Sequence, residues 1–167
     1  LAGQAKAIAA AAAVGGQAAA NLVTEAIQRA LIKPVIGQIA GSAQGLRALA
    51  YAKSQIGVPY VWGGETPGVG FDCSGLVQWA WARAGIQIPR TTSTQWPALH
   101  HVPLTALQPG DLLFYYNLDG DHTVDHVVMY AGSGPWGAST IIAAAHSGTN
   151  VSLAPLFTSG LIGAARP

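Results

Sequence analysis

Charge is scarce in this chain: only 9% of its 167 residues are Asp, Glu, Lys or Arg, and the formal net charge is +1. A balance so near zero leaves no electrostatic footprint for nucleic acid or an anionic membrane surface. Cysteine is scarcer still. Cys73 stands alone, which excludes an internal disulfide and a structural zinc site of the multi-cysteine type, and leaves the redox compartment open. No stretch of about 18 uncharged apolar residues occurs, so no transmembrane segment is expected. Position 1 is Leu rather than Met. The expectation is a processed protein or a piece of a longer one, with any signal peptide out of view.

Aromatic residues are missing from positions 1–48, which are rich in Ala, Gly, Ile and Leu and charged only at Lys6, Glu25, Arg29, Lys33 and Arg47. Val23, Ile27, Ala30 and Leu31 share one helical face, and Pro34 breaks or kinks that helix. Residues 1–42 are therefore expected to be an Ala/Gly-rich helical appendage or linker. It would pack on the rest of the chain, join it to a larger assembly, or cover a cleft as a pro-segment.

From residue 43 onward the composition changes, and one domain spanning 43–167 is expected. Leu46, Leu49, Ala50, Lys53 and Ile56 keep helical spacing up to Gly57, with Pro59 behind it. Tyr60-Val61-Trp62-Gly63-Gly64 reads as a short extended piece entering a glycine loop. The run Leu76–Ala84, free of Pro and stopped by Gly85, reads as a helix. Thr94–Leu99 suits one short helical turn. Leu112–Tyr116, Asp125–Ala131 and Thr140–Ala145 read as strands, the first apolar on both faces and so central. Asn150–Leu153 and Leu161–Ala165 are candidates to complete the sheet. Helices followed by hairpin-linked strands describe an α+β domain with an antiparallel sheet.

A lone cysteine is ordinarily a small buried hydrophobe. Cys73 differs because it follows a glycine-rich loop and an acidic residue, Asp72, and opens a helix. There, unpaired N–H groups and the positive end of the dipole favour a thiolate. A thiol nucleophile needs a nitrogen base within reach and usually a third group to orient that base. Of the five histidines, His100 and His101 fall in a loop before Val102-Pro103 and His122 in an Asp-rich turn, where solvated side chains are the ordinary reading. His126 opens a strongly apolar strand, where an imidazole is costly without a partner. His146, at the end of the next strand, can reach the same neighbourhood.

Tyr60-Val61-Trp62-Gly63-Gly64, Phe71-Asp72-Cys73-Ser74-Gly75-Leu76-Val77, Pro89-Arg90-Thr91, Pro109-Gly110-Asp111-Leu112-Leu113-Phe114 and Asp125-His126-Val127 resemble, in order and spacing, the signature blocks of the NlpC family of cell-wall cysteine peptidases. The resemblance covers about residues 43–166. It implies a papain-like α+β fold with the Cys-bearing helix packed on an antiparallel sheet. It also implies cleavage of peptidoglycan stem peptides, typically between γ-D-glutamyl and the diamino acid, with neither metal nor other cofactor. Carried over residue by residue, Cys73 is the nucleophile and His126 the base. Tyr60, Asp72 and Ser74 line the substrate cleft, Asp72 holding the substrate's free amino terminus. A secreted or cell-envelope location follows.

The third position departs from the family pattern. Laid without gaps on the family's segment after the His strand, Ile141-Ile142-Ala143-Ala144-Ala145-His146-Ser147-Gly148 puts Ala143 where His, Glu, Asn or Gln is usual. An alanine cannot hold an imidazole by hydrogen bond, and His146, three residues on, is the candidate to replace it. The departure keeps a second reading in view: a weak or inactive binding module of the same fold in a phage tail or secretion assembly. An acyl- or amidotransferase on this fold is a third. A metal centre on Asp119, Asp121, His122 and Asp125 matches no ligand spacing, and a solvated turn is the expectation there.

Overall fold

The computed structural model describes residues 43–167. The expected appendage, 1–42, lies outside the described residues. Helix α1 (43–53) ends a turn earlier than its spacing suggests; residues 54–57 form a turn, closed by Gly57 at φ +94°. Helix α2 (Cys73–Arg83) begins on the cysteine itself. Its N-cap is Asp72, in extended conformation, whose Oδ1 accepts from the Gly75 N–H at 2.7 Å. Gly85 follows the helix at φ +98°, as the glycine stop requires.

Helix α3 (Thr92–Ala98) starts in a Thr91/Thr94 capping box and is longer than the one turn expected. The glycine loop is also more regular than it reads. It holds a small antiparallel pair, β1 (Glu65–Thr66) with β2 (Gly70–Phe71).

The main sheet has β3 (His100–Val102), β4 (Leu112–Tyr116), β5 (Val124–Tyr130), β6 (Thr140–Ala143), β7 (Ser152–Pro155) and β8 (Leu161–Arg166), all antiparallel in the order β3-β8-β4-β5-β6-β7. Strand β4 is central, as its two-sided apolar pattern demands. The segment bearing His100 and His101 is an edge strand rather than a loop. Pairing with Arg166 and Ala165 of β8 holds it, and the His101 ring lies flat on Trp96 with centroids 3.8 Å apart.

One face of the sheet carries Leu112, Phe114, Val127, Met129 and Ile142, packed with Leu76, Val77, Ala80 and Trp81 of α2 and with Ala48, Leu49 and Ala52 of α1. Period-2 alternation sends Leu113, Tyr115, Val128, Tyr130, Ile141 and Ala143 to the other face, where Leu107, Leu156, Phe157 and Leu161 cover them. The β4–β5 register shifts once. Tyr115 pairs with His126, yet Tyr116 pairs with Val124, so Asp125 is an extra residue on β5. This bulge lies beside the start of α2 and sets up the site.

Candidate active site

The turn that carries Cys73 is set by Asp72 and Gly75 beside it in sequence and by Gln95 from α3. Asp72 caps the helix. Gly75 lets the Gly64 carbonyl approach so closely that any side chain there would collide with it. Gln95 of α3, fully buried, donates through Nε2 to the carbonyls of Ser74 at 3.2 Å and Pro89 at 2.8 Å. The first turn of α2 is thereby tied to α3 and to the Pro89-Arg90 segment. Thr92 in turn donates to the Val124 carbonyl at 2.6 Å and fixes the start of β5 against the same helices.

On the other side stands the bulged strand. The Cys73 sulfur lies 4.0 Å from the Asp125 carbonyl, and His126 follows on the face that carries Tyr115. Its ring sits 5.9 Å from Tyr115 and 6.5 Å from Phe157, which themselves stack at 4.2 Å. Cys73, His126 and His146 line one cleft of about 940 Å³, together with Tyr60, Asp72 and Ser74. All six candidate residues therefore converge. The His146 ring is exposed, and its Nδ1 lies 3.0 Å from the Ser147 carbonyl. That contact puts a proton on Nδ1, and in the neutral ring it leaves Nε2 as an acceptor. Ala143 is buried in the apolar layer beside Tyr115 and offers His126 no polar partner.

The electrostatics differ from the expected thiolate. Cys73 is only 8% exposed, and burial pushes its thiol up to about 11. The Val127, Ser74 and Cys73 N–H groups pull the other way without winning, and the nearby Asp72 charge adds to the rise. Loss of hydration outweighs the helix start. His126 moves in the opposite direction. Burial lowers it below its ordinary 6.5, against the pull of Asp125 and Asp119, and His146 adds to the lowering. Both shifts favour uncharged forms, so the resting pair near neutrality is thiol and imidazole. Burial also raises the Tyr60 phenol and keeps it protonated.

Several groups at the site had no role in the sequence reading. Arg90 occurs in a quoted block, but its grip on Asp72 is a tertiary contact. Asp119, Asp125, Trp62 and Phe157 line the cleft as well. A bulge leaves no mark in hydrophobic periodicity, and Phe157 comes from a segment with no strand or helix pattern. The acidic turn does not converge on an ion. Asp121 accepts from Thr123, Asp125 Oδ2 accepts from the Asp119 N–H, and among the described residues no three His, Cys, Asp or Glu groups are placed to hold a metal.

This site geometry sits on a sequence of known kind. The NlpC/P60 family model matches residues 57–162, and the chain belongs to that family. It is 38% identical over 122 residues to the peptidoglycan endopeptidase RipB of Mycobacterium tuberculosis, covering 66% of this chain and 47% of RipB. It is 45% identical over 78 residues to the bifunctional muramidase/DL-endopeptidase CwlT of Bacillus subtilis, covering 47% of this chain and 24% of CwlT. The chain thus spans half or less of the length of these relatives. Among solved structures, the peptidoglycan hydrolase RipB superposes with a TM-score of 0.64 at 32% identity, over 76% of this chain and 65% of that one. An NlpC/P60 family protein from Bacillus cereus gives 0.65 at 32%, over 73% and 39%. The expected α+β fold is the observed one. No described helix is long and apolar enough to cross a membrane.

Proposed function

We propose that residues 43–167 form a peptidoglycan endopeptidase domain that hydrolyses a stem-peptide bond, the γ-D-glutamyl to diamino acid bond, by Cys/His chemistry. Residues 1–42 are an appendage to it, and the working location is extracytoplasmic, where that substrate is found. The observation that carries the reading is the meeting of Cys73, at the first position of α2, with the His126 strand in one cleft. Relatives named as peptidoglycan and DL-endopeptidases support the substrate class.

In this reaction the His126 imidazole takes the Sγ proton as sulfur bonds to the glutamyl γ-carbonyl carbon. The N–H groups of Cys73 and Ser74 lie against Sγ and have no intrahelical acceptor, so they suit the oxygen that gains charge. Imidazolium then gives its proton to the leaving amine as the C–N bond breaks, leaving a thioester. Water attacks that thioester, His126 takes its proton, and the C–S bond breaks with return of the proton to sulfur. His146 takes the third position through its free Nε2, which can accept the other ring N–H of His126.

The test is incubation with a muropeptide that contains the D-Glu–diaminopimelate bond, followed by detection of new amino termini. Cleavage by the wild-type chain and none by Cys73→Ala is the expected result. No product from the wild type, where RipB cuts, refutes the peptidase reading and leaves the binding-module one.

A further inference from the structure

Strand β5 changes face as it passes the cysteine helix. Val124 packs into the layer under α2, whereas His126 stands on the opposite face beside Tyr115. In a regular strand, residues two apart share a face. The extra residue at Asp125, where Tyr115 pairs with His126 and Tyr116 with Val124, breaks that alternation. The bulge therefore turns His126 toward the cleft. It also leaves the Asp125 side chain in the same cleft lining, where strict alternation would send the two neighbours apart.

The Asp125 carboxylate is fixed there with one oxygen unused. Oδ2 accepts the Asp119 N–H at 2.8 Å. The turn that presents this N–H is itself braced: Asn117 Oδ1 accepts from the His122 N–H at 2.7 Å, the Asn117 N–H donates to the Thr123 carbonyl at 2.8 Å, and Asp121 accepts from Thr123. Oδ1 is buried, and no donor of the described residues reaches it. Such an oxygen is costly unless a cation or donor comes to it. Arg90, the fixed cation of the cleft lining among the described residues, is bound to Asp72 and Glu65. The neighbour of Asp125 that can become cationic is His126. Around that ring stand Cys73 from α2, Tyr115 from β4, Asp119 from the turn and His146 after β6. Asp125 and then Asp119 favour its protonated form, while burial and His146 oppose it.

We propose that Asp125 is a positioning residue of the reaction: its carboxylate, fixed by the Asp119 N–H beside His126, is the counter-charge for the imidazolium that forms as the Cys73 proton moves to the ring. In that step the S–H bond breaks, its electron pair stays on sulfur, and the proton goes to the ring nitrogen. Asp125 takes no proton. Its attraction for the ring is weak while the ring is neutral and full once it is charged, so it stabilises the charge-separated state over the resting pair. The role deepens the Cys/His reading and rests on it.

Two measurements keep the proposal and that reading apart. The His126 ring is titrated by NMR in Cys73→Ala, without substrate. Adding Asp125→Asn is expected to move the titration to lower pH, because burial and His146 then act against Asp119 alone. Asp125→Ser does the same where the Asn variant does not fold, and Asp125→Glu keeps the titration near its parent value. In the muropeptide assay Asp125→Asn is expected to lower kcat by about tenfold, to leave KM nearly unchanged, and to move the acid limb of kcat/KM to lower pH. Asp125→Glu regains most of that rate. A His126 titration that neither charge-removing variant moves overturns the proposal, as does a kcat loss that Asp125→Glu fails to regain. A shifted titration in a protein whose wild type cuts no muropeptide refutes the peptidase reading alone and leaves the counter-charge standing.

Discussion

Arg90 grips Asp72 with both terminal guanidinium nitrogens at 2.9 Å, and Asp72 caps the helix that begins with Cys73. The same arginine reaches Ser74 Oγ at 2.9 Å, the Gly64 carbonyl at 3.2 Å and Glu65 at 2.8 Å. One side chain thus ties the glycine loop to the first turn of α2. Its removal leaves a mostly buried carboxylate without its counter-charge. Arg90→Ala is expected to cost about 2 kcal/mol in urea unfolding and to lower kcat through misplacement of Cys73. Arg90→Lys is expected to recover less than half of the stability, because an ammonium cannot make the paired, planar contact. Full recovery by Lys would refute the bidentate account.

The opposite shifts of Cys73 and His126 make a pH prediction with a definite sign. In the proposed mechanism His126 must be neutral to accept the thiol proton, and its folded-state value lies below 6.5. The acid limb of kcat/KM is therefore expected below pH 6.5, followed by a plateau to pH 9, since the thiol itself ionises at about 11. Alkylation of Cys73 by iodoacetamide should accelerate about tenfold per pH unit between 7 and 9, as the thiolate fraction grows. An alkylation rate independent of pH in that range would show a preformed ion pair and contradict the burial argument. Stability follows the same sign. The unfolded histidine binds its proton near 6.5 and the folded one only at lower pH, so the contribution is whole above 6.5. It is lost as pH falls through the folded value.

The fold was legible where side-chain periodicity meets a glycine stop. Gly85 ends α2, and two-sided burial marks β4 as central. It was illegible where tertiary pairing decides. His100–Val102 has no strand pattern of its own and becomes one because β8 offers it an edge. The site divides in the same way. Cys73, His126 and Asp72 stand in local patterns that mark them as candidates, and the fold brings all three to one cleft. The thiol's protonation does not, because it depends on how deeply the first turn is buried between the β5 bulge and α3, a property of packing rather than of spacing. The roles of Arg90 and Phe157 are equally matters of what the chain brings beside them.

Ala143 lies in the apolar layer, and among the groups whose charge bears on His126, namely Asp125, Asp119 and His146, His146 is the one proposed for the third position. Its Nδ1 faces the Ser147 carbonyl at 3.0 Å, which in the neutral ring leaves Nε2 as the acceptor. His146→Ala is expected to lower kcat/KM by about tenfold to a hundredfold, within the range of an orienting partner. The acid limb should move to higher pH, because His146 depresses His126 and its removal relaxes that depression. His146→Gln retains an acceptor and should restore part of the rate. Unchanged rate and unchanged acid limb in His146→Ala would remove it from the third position.

Phe157 stacks on Tyr115 at 4.2 Å, while its own carbonyl accepts the Tyr115 hydroxyl at 3.0 Å. The stacked pair lies on one side of the His126 imidazole, 5.9 and 6.5 Å from it, so packing limits the ring there without a hydrogen bond. Phe157→Ala removes part of that wall. About 2 kcal/mol of stability should be lost for a half-buried ring, and kcat should fall by about tenfold as the imidazole gains freedom. Water reaching His126 also relieves its burial, so the acid limb is expected to rise toward 6.5. Phe157→Tyr keeps the stack and should keep both the rate and the limb. A stability loss with an unmoved acid limb would mean that Phe157 holds the sheet face together without positioning the base.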